Sequence, residues 1–195
     1  MVWLVLSVIL WGIVHSLLAS LKAKELALRW FGAQAMHFYR LLYNVFAVLS
    51  FIPILAIAAL TNSPILYIVP FPWSGLMVFG EILAVAGLVV AFLQTDVWDF
   101  IGLRQLGDAK AASELKTGGL YRYVRHPLYA AGLAFIWLFP HMTLNILVLN
   151  IPLTIYILIG AFFEERKLRS AFGKEYADYA AATPMLIPFV KRKRM

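Results

Sequence analysis

Gly118-Gly119-Leu120-Tyr121-Arg122-Tyr123-Val124-Arg125-His126-Pro127-Leu128-Tyr129 and Glu164-Glu165-Arg166-Lys167-Leu168 flank an apolar stretch, residues 127–163, that holds no Asp, Glu, Lys or Arg. A further polar block, Phe172-Gly173-Lys174-Glu175-Tyr176-Ala177-Asp178-Tyr179, follows. Pro140-His141 interrupts the stretch, which predicts two arms, 127–140 and 143–163, joined by a turn at Pro140–Thr143. The first arm is short, since about 14 residues of helix span only ~21 Å. Polar groups crowded against lipid are costly, so such groups usually have a task.

Working outward, residues 2–20, 41–60 and 75–95 are three more apolar segments, each long enough to cross ~30 Å of hydrocarbon. The chain has 195 residues, 63% hydrophobic and 14% charged, with mean hydropathy +0.82. A soluble domain runs nearer half apolar and a quarter charged. The expected fold is therefore all-α: a polytopic membrane protein of five transmembrane helices, with a C-terminal helical hairpin and an interfacial tail helix. It reads as one integral membrane domain over 1–195: three spans in 1–95, a cytoplasmic loop at 96–126, and the hairpin and tail helix at 127–188. Lys22 and Lys24 follow the first apolar run and no basic group precedes it, the reverse of a cleaved signal, so 2–20 is expected to be a retained span.

All 17 Lys and Arg fall in three places: Lys22 to Arg40, Arg104 to Arg125, and Arg166 to Arg194. The linker 61–74 and the turn near residue 141 hold none. The positive-inside rule puts the three basic regions on the cytoplasmic face, with the N-terminus outside and the C-terminus inside, as in a bacterial inner membrane. Both flanks of the hairpin then share one side, so the polar segments can form one site. The net charge of +7 is thereby explained by membrane orientation and anionic lipid, and nucleic acid is not expected as a partner. Linker 61–74, with Pro64, Pro70, Pro72 and Trp73, reads as a non-helical outer loop. Asp108–Lys116 has the pattern of a short amphipathic helix.

The chain has no cysteine, so disulfides, thiolate catalysis and Cys-ligated metals are excluded. His15, His37, His126 and His141 are scattered without HxxxH spacing, so no metal site is expected. Pro127 suits the first turn of a helix, with His126 at its N-cap and the helix dipole pointing to the loop. That end could take a ligand carboxylate or phosphate; equally, Arg125 and Tyr129 could be interfacial anchors. Glu164 and Glu165 point about 100° apart on a helix. One could meet a ligand cation or a proton, or both could be solvated, with Glu165 pairing Arg169 at i, i+4. Gly118-Gly119 reads as a plain loop. His15, Arg40, Tyr43 and Asn44 either hydrogen-bond between helices or line a substrate groove. Glu81, inside the third span, either snorkels or is functional. Leu168, Phe172, Tyr176 and Tyr179 recur at helical spacing, which predicts one face of an interfacial helix ended by Pro184.

Gly119-x-Tyr121-Arg122-x-x-Arg125-His126-Pro127-x-Tyr129-x-x-Gly132, then Glu164-Glu165-x-x-Leu168-x-x-x-Phe172-Gly173-x-x-Tyr176-x-x-Tyr179 with Pro184 following, resembles the isoprenylcysteine carboxyl methyltransferase and phospholipid methyltransferase superfamily. The likeness covers about residues 118–188. The N-terminal part, with His15-Ser16 and Tyr39-Arg40-x-x-Tyr43-Asn44, looks like small bacterial members, among them relatives named for denitrification clusters and the methanethiol S-methyltransferases. The resemblance implies S-adenosylmethionine as methyl donor, with Leu120, Tyr121, His126, Pro127, Tyr129, Glu165, Tyr176 and Tyr179 at the cofactor. Arg125, Glu164 and Arg166 are the residues expected at the reaction, where Arg125 or Arg166 could orient an anionic acceptor by paired hydrogen bonds, and His15, Arg40 and Asn44 are the candidates for a substrate groove. The acceptor would be a membrane lipid or a lipophilic or small molecule carrying a carboxylate, thiol or amine. Methyl transfer asks the protein to align donor and acceptor and exclude water. The alternative is a non-catalytic membrane factor on the same scaffold, in haem or nitrogen-oxide metabolism.

Overall fold

The structure, a computed structural model, describes residues 2–106 and 114–188. The amphipathic pattern at Asp108–Lys116 falls largely outside them. The described residues form six α-helices: α1 Val2–Ala19, α2 Leu21–Leu60, α3 Trp73–Gln94, α4 Val97–Ile101, α5 Pro127–Trp137 and α6 Leu144–Ala182. Two one-turn 3-10 helices lie at Arg104–Leu106 and Gly119–Arg122. Among the described residues α1, α2, α3 and α6 are long and apolar enough to cross a membrane, and α5 is a shorter apolar helix of 11 residues. The protein is a helical, polytopic membrane protein.

Three features depart from the pattern read in the sequence. First, strands β1 Ile65–Ile68 and β2 His141–Thr143 pair with each other where two plain loops were expected. Chain that leaves a helix beside lipid must still satisfy its N–H and C=O groups, and pairing two such segments does so. Second, α2 begins at Leu21, not near residue 41, because Ser20 caps it: its Oγ accepts from the Ala23 N–H at 3.2 Å. Third, both long helices are broken at a glycine, Gly32 (φ 76°, ψ 176°) and Gly173 (φ 53°, ψ −119°). The single-face reading of Leu168 to Tyr179 assumed an unbroken helix, which Gly173 interrupts.

The chain gathers into two compact units. One contains α1, α2, α4 and the first turns of α6. Here α2 returns antiparallel along α1: Tyr39 Oη donates to Leu18 O at 2.7 Å, Tyr43 Oη meets His15 Nε2 at 2.5 Å, and Trp11 Nε1 donates to Ala47 O at 3.2 Å. The α4 turn is capped by Asp96, whose carboxylate accepts from Asp99 N, and is closed by Gly102 in the left-handed region.

The other unit contains β1, α3, the Gly119–Arg122 turn, α5 and α6 from Leu153 onward. Its close helix pair is α3 with α5. Gly80, Ala84, Gly87 and Ala91 make a small-residue stripe on α3, and a Cβ at Gly87 would already lie 3.5 Å from that of Ala131. Small residues let helix backbones approach where lipid supplies no hydrophobic drive. α6 reaches α5 through longer side chains, such as Trp137 Nε1 to Thr154 Oγ1 at 2.9 Å.

Candidate active site

Pro127 occupies the first turn of α5 and His126 its N-cap, as the Arg-His-Pro order predicted. The extended residues before the helix pair with the segment after α6: Arg125 N–H donates to Pro184 O at 2.9 Å and His126 N–H to Met185 O at 3.1 Å. This brings the two polar segments together. Val124, Arg125, His126, Glu165, Tyr176, Ala180 and Thr183 are all buried.

Arg125 is the centre of the packing. Its Nε donates to Glu165 Oε1 at 2.6 Å and its Nη2 to Glu165 Oε2 at 3.0 Å, a bidentate pair. Its Nη1 donates to Ala180 O at 3.0 Å and also to Thr183 O. Glu165 Oε1 further accepts from Tyr176 Oη at 2.7 Å and meets His126 Nε2 at 3.1 Å. Arg169 Nη2 stands 3.9 Å from Oε2, the i, i+4 pair expected for Glu165. Burial alone would raise the Glu165 carboxyl, but the hydrogen bonds from Arg125 and Tyr176 outweigh it and hold the group below its ordinary value. Burial likewise works against the Arg125 charge, and Glu165 more than restores it.

Glu164, one residue earlier, has different surroundings. Its side chain is 45% exposed. Oε2 accepts from Tyr129 Oη at 2.8 Å and lies 3.6 Å from His126 Nδ1. The His126 and Tyr129 rings stack, 5.4 Å apart and tilted by 13°. The 100° between neighbouring helix positions is what separates a carboxylate enclosed by protein donors from one open on a side.

The remaining tyrosines close the edge. Tyr179 Oη donates to Tyr121 O at 2.6 Å. Burial pushes the Tyr179 phenol up to about 12, and it also raises those of Tyr176 and Tyr121, the last helped by the charge of Glu164. All three remain protonated at neutral pH, and Tyr176 and Tyr179 use the proton as donors. Leu120, at the Gly119 turn, donates its N–H to Gln94 Oε1 at 2.9 Å. Gly119 has φ +59°, and a Cβ there would lie 2.2 Å from Gln94 Nε2. Sequence reasoning missed Gln94 and took the glycine pair for a plain loop. The available signal was a lone amide at the end of an apolar span.

Arg166 is exposed and takes no part in this network. His15, Arg40 and Asn44 belong to the other unit. There His15 meets Tyr43, Arg40 Nη1 pairs with Asp99 Oδ2 at 2.8 Å, and Asn44 Nδ2 donates to Phe100 O and Ile101 O at 2.8 and 2.9 Å. Glu81 lines a shallow apolar recess with Val78, Ile82, Val85 and Phe135. No group of three or more metal-ligating side chains occurs among the described residues.

The Glu165 pair makes a pH prediction. A carboxyl held low when folded contributes stability that is full above its unfolded value and lost as pH falls through the folded one. Thermal unfolding in detergent is expected to be steady near neutrality and to weaken below about pH 4.3. Glu165→Gln should flatten that acid limb; an unchanged limb would show the pair does not cause it.

The sequence model of the phospholipid methyltransferase family matches residues 75–175, which include most of α3 and Arg125, His126, Tyr129, Glu164 and Glu165. Methanethiol S-methyltransferase of Crocosphaera subtropica is 37% identical over 127 residues, 61% of this chain and 49% of its own. Methanethiol S-methyltransferase 2 of Bradyrhizobium diazoefficiens is 39% identical over 117 residues, 55% of this chain and 45% of its own. A methanethiol S-methyltransferase of a Pseudomonas species is 35% identical over 150 residues, 72% of this chain and 58% of its own. The chain thus spans about half the length of the curated relatives it matches. No solved structure matches it. With over half its length inside the family pattern, and with both polar segments of that pattern meeting in one buried network, the chain belongs to the phospholipid methyltransferase family.

Proposed function

We propose that the protein is an S-adenosylmethionine-dependent membrane methyltransferase whose acceptor is a small thiol, methanethiol foremost. The observation that carries this is Glu164: a half-exposed carboxylate beside the stacked His126 and Tyr129 rings, backed by a closed Arg125–Glu165 anchor. S-adenosylmethionine supplies a methyl group on a sulfonium and also carries an ammonium. A carboxylate flanked by aromatic rings suits a cation of either kind. Glu164 would receive the ammonium, the cation that S-adenosylhomocysteine also carries. His126, Tyr129, Leu120 and Pro127 would line the pocket, and Tyr121, Tyr176 and Tyr179 would close it.

In this reading Glu165 and Arg125 act by holding the tail helix in place, because their polar atoms are already engaged by protein partners. Exposed Arg166 adds positive potential, which favours a thiolate or another anionic acceptor. The internal partners of His15, Arg40 and Asn44 support a packing role for them. The thiol comes from the relatives' names, as does the weight against a non-catalytic factor. For the membrane, we propose five crossings with α5 as the short fourth, and the basic regions and this site on the cytoplasmic side.

The test is calorimetry with S-adenosylhomocysteine in detergent. Wild type is expected to bind, and Glu164→Ala to weaken binding about 10- to 150-fold, the range for losing one charge-assisted contact. Absence of binding to wild type, or undiminished binding after Glu164→Ala combined with His126→Ala, would refute the cofactor site. The acceptor is tested separately, by dimethyl sulfide in the headspace above enzyme, donor and methanethiol. Labelled methyl found only in extracted lipid would refute the thiol.

A further inference from the structure

We propose that Leu21–Phe31, the first part of α2, is an interfacial helix that binds the headgroups of anionic phospholipid. The helix has defined ends. Ser20 caps its start, and Gly32 breaks the chain from the span that follows, at φ 76° and ψ 176°. A Cβ at Gly32 would meet nothing within 4 Å, so backbone angle and not packing calls for glycine there. Without the break, the 40 residues of α2 would run about 60 Å, roughly twice the hydrocarbon thickness.

The antiparallel contact between α1 and α2 ends at Leu18 with Tyr39. Residues 21–31 therefore extend past the end of α1, at the tip of the α1–α2 hairpin. There they expose Leu21 (73%), Trp30 (70%) and Phe31 (69%), with Leu26 and Leu28 exposed as well. A Trp-Phe pair standing in water would be costly, whereas the same pair in the headgroup region is favoured.

The charges are placed to match. At 100° per residue, Glu25, Arg29 and Lys22 fall within about 60° of one another, and the apolar side chains cover most of the remaining circle. Lys24 stands apart, on the apolar side. Three basic residues against one acid leave the segment positive. A narrow charged face, with two bases to one acid, over a broad aromatic and aliphatic one is the pattern of a helix lying in the interface plane. Its rings enter the acyl boundary while Lys22 and Arg29 reach the phosphates. This inference does not depend on the methyltransferase reading, because none of these residues belongs to the Arg125–Glu165 site.

The absence of cysteine makes the test direct, since single-cysteine variants need no prior background removal. Ala23→Cys, Ala27→Cys and Glu25→Cys in the full chain would carry nitroxides in nanodiscs of phosphatidylglycerol. Labels at the two alanine positions are expected to favour oxygen over a water-soluble nickel chelate several-fold, and the label at Glu25 the reverse. Uniform access to the nickel chelate would show a segment in water, and uniform access to oxygen a transmembrane one; either overturns the proposal. Native mass spectrometry from mixed phosphatidylglycerol and phosphatidylcholine reads the headgroup preference. Lys22→Gln with Arg29→Gln should reduce that preference about fivefold per charge removed. An unchanged preference would overturn the lipid assignment.

Discussion

Arg125→Leu is expected to destabilise the protein by about 3–5 kcal/mol, the cost of leaving one member of a buried ion pair without its partner. The substitution strands the Glu165 carboxylate, which is 8% exposed, with Tyr176 and His126 in hydrogen-bond reach and an exposed Arg169 at 3.9 Å as its nearest remaining cation. It also takes the guanidinium donor from the Ala180 and Thr183 carbonyls at the end of α6. The result should be an earlier thermal transition in detergent and rapid proteolysis of the tail after Gly173, where the helix is already broken. Arg125→Lys should recover only part of the loss, because an ammonium cannot serve two carboxylate oxygens and two carbonyls at once. Arg125→Leu with Glu165→Leu removes both charges and should be more stable than Arg125→Leu alone. If the double variant unfolds no later than the single one, the pair is not the anchor described here.

Gly102→Ala is expected to cost about 2–5 kcal/mol in the other unit. Gly102 adopts φ +98°, where a side chain is strained by about 1–2 kcal/mol. A Cβ there would also lie 2.5 Å from Leu41 N and 2.9 Å from the Arg40 carbonyl carbon. Those are backbone atoms inside α2, so they cannot rotate away, and overpacking adds about 1–3 kcal/mol. The strain would fall on the α4 junction, loosening the Arg40–Asp99 pair and the Asn44 contacts. Hydrogen exchange at the Leu103 amide, which donates to Trp98 O at 2.9 Å, should rise with the lower melting temperature. Gly118→Ala provides the contrast. Its φ is −89° and nothing lies within 4 Å of an added Cβ, so it should be nearly neutral. Equal melting temperatures for the two variants would remove close backbone approach as the reason for Gly102.

Much of the fold was legible in the sequence because apolar length is a local property. A helix carries its own hydrogen bonds, so a run of about 20 apolar residues declares a span without reference to neighbours. The start of α5 was legible too, since Pro127 acts on its own backbone. The pairing of β1 with β2 was not, because it joins segments more than 70 residues apart that are only four and three residues long, too short for a strand pattern to stand out. Nor were the breaks at Gly32 and Gly173, because glycine permits a left-handed backbone without requiring one.

The same division holds at the site. The sequence by itself determined which side chains belong together: Arg125, His126, Tyr129, Glu164, Glu165 and Tyr176 stand in two short segments whose order and spacing declare the family. Only the tertiary structure decided what each of them does for its neighbours. Two adjacent glutamates are chemically identical until the tail folds back past Gly173. Tyr176 and Arg125 then enclose Glu165, and Glu164, turned 100° away, keeps an open side. Burial and hydrogen-bond partners are properties of the surroundings, and those surroundings come from segments up to 58 residues distant.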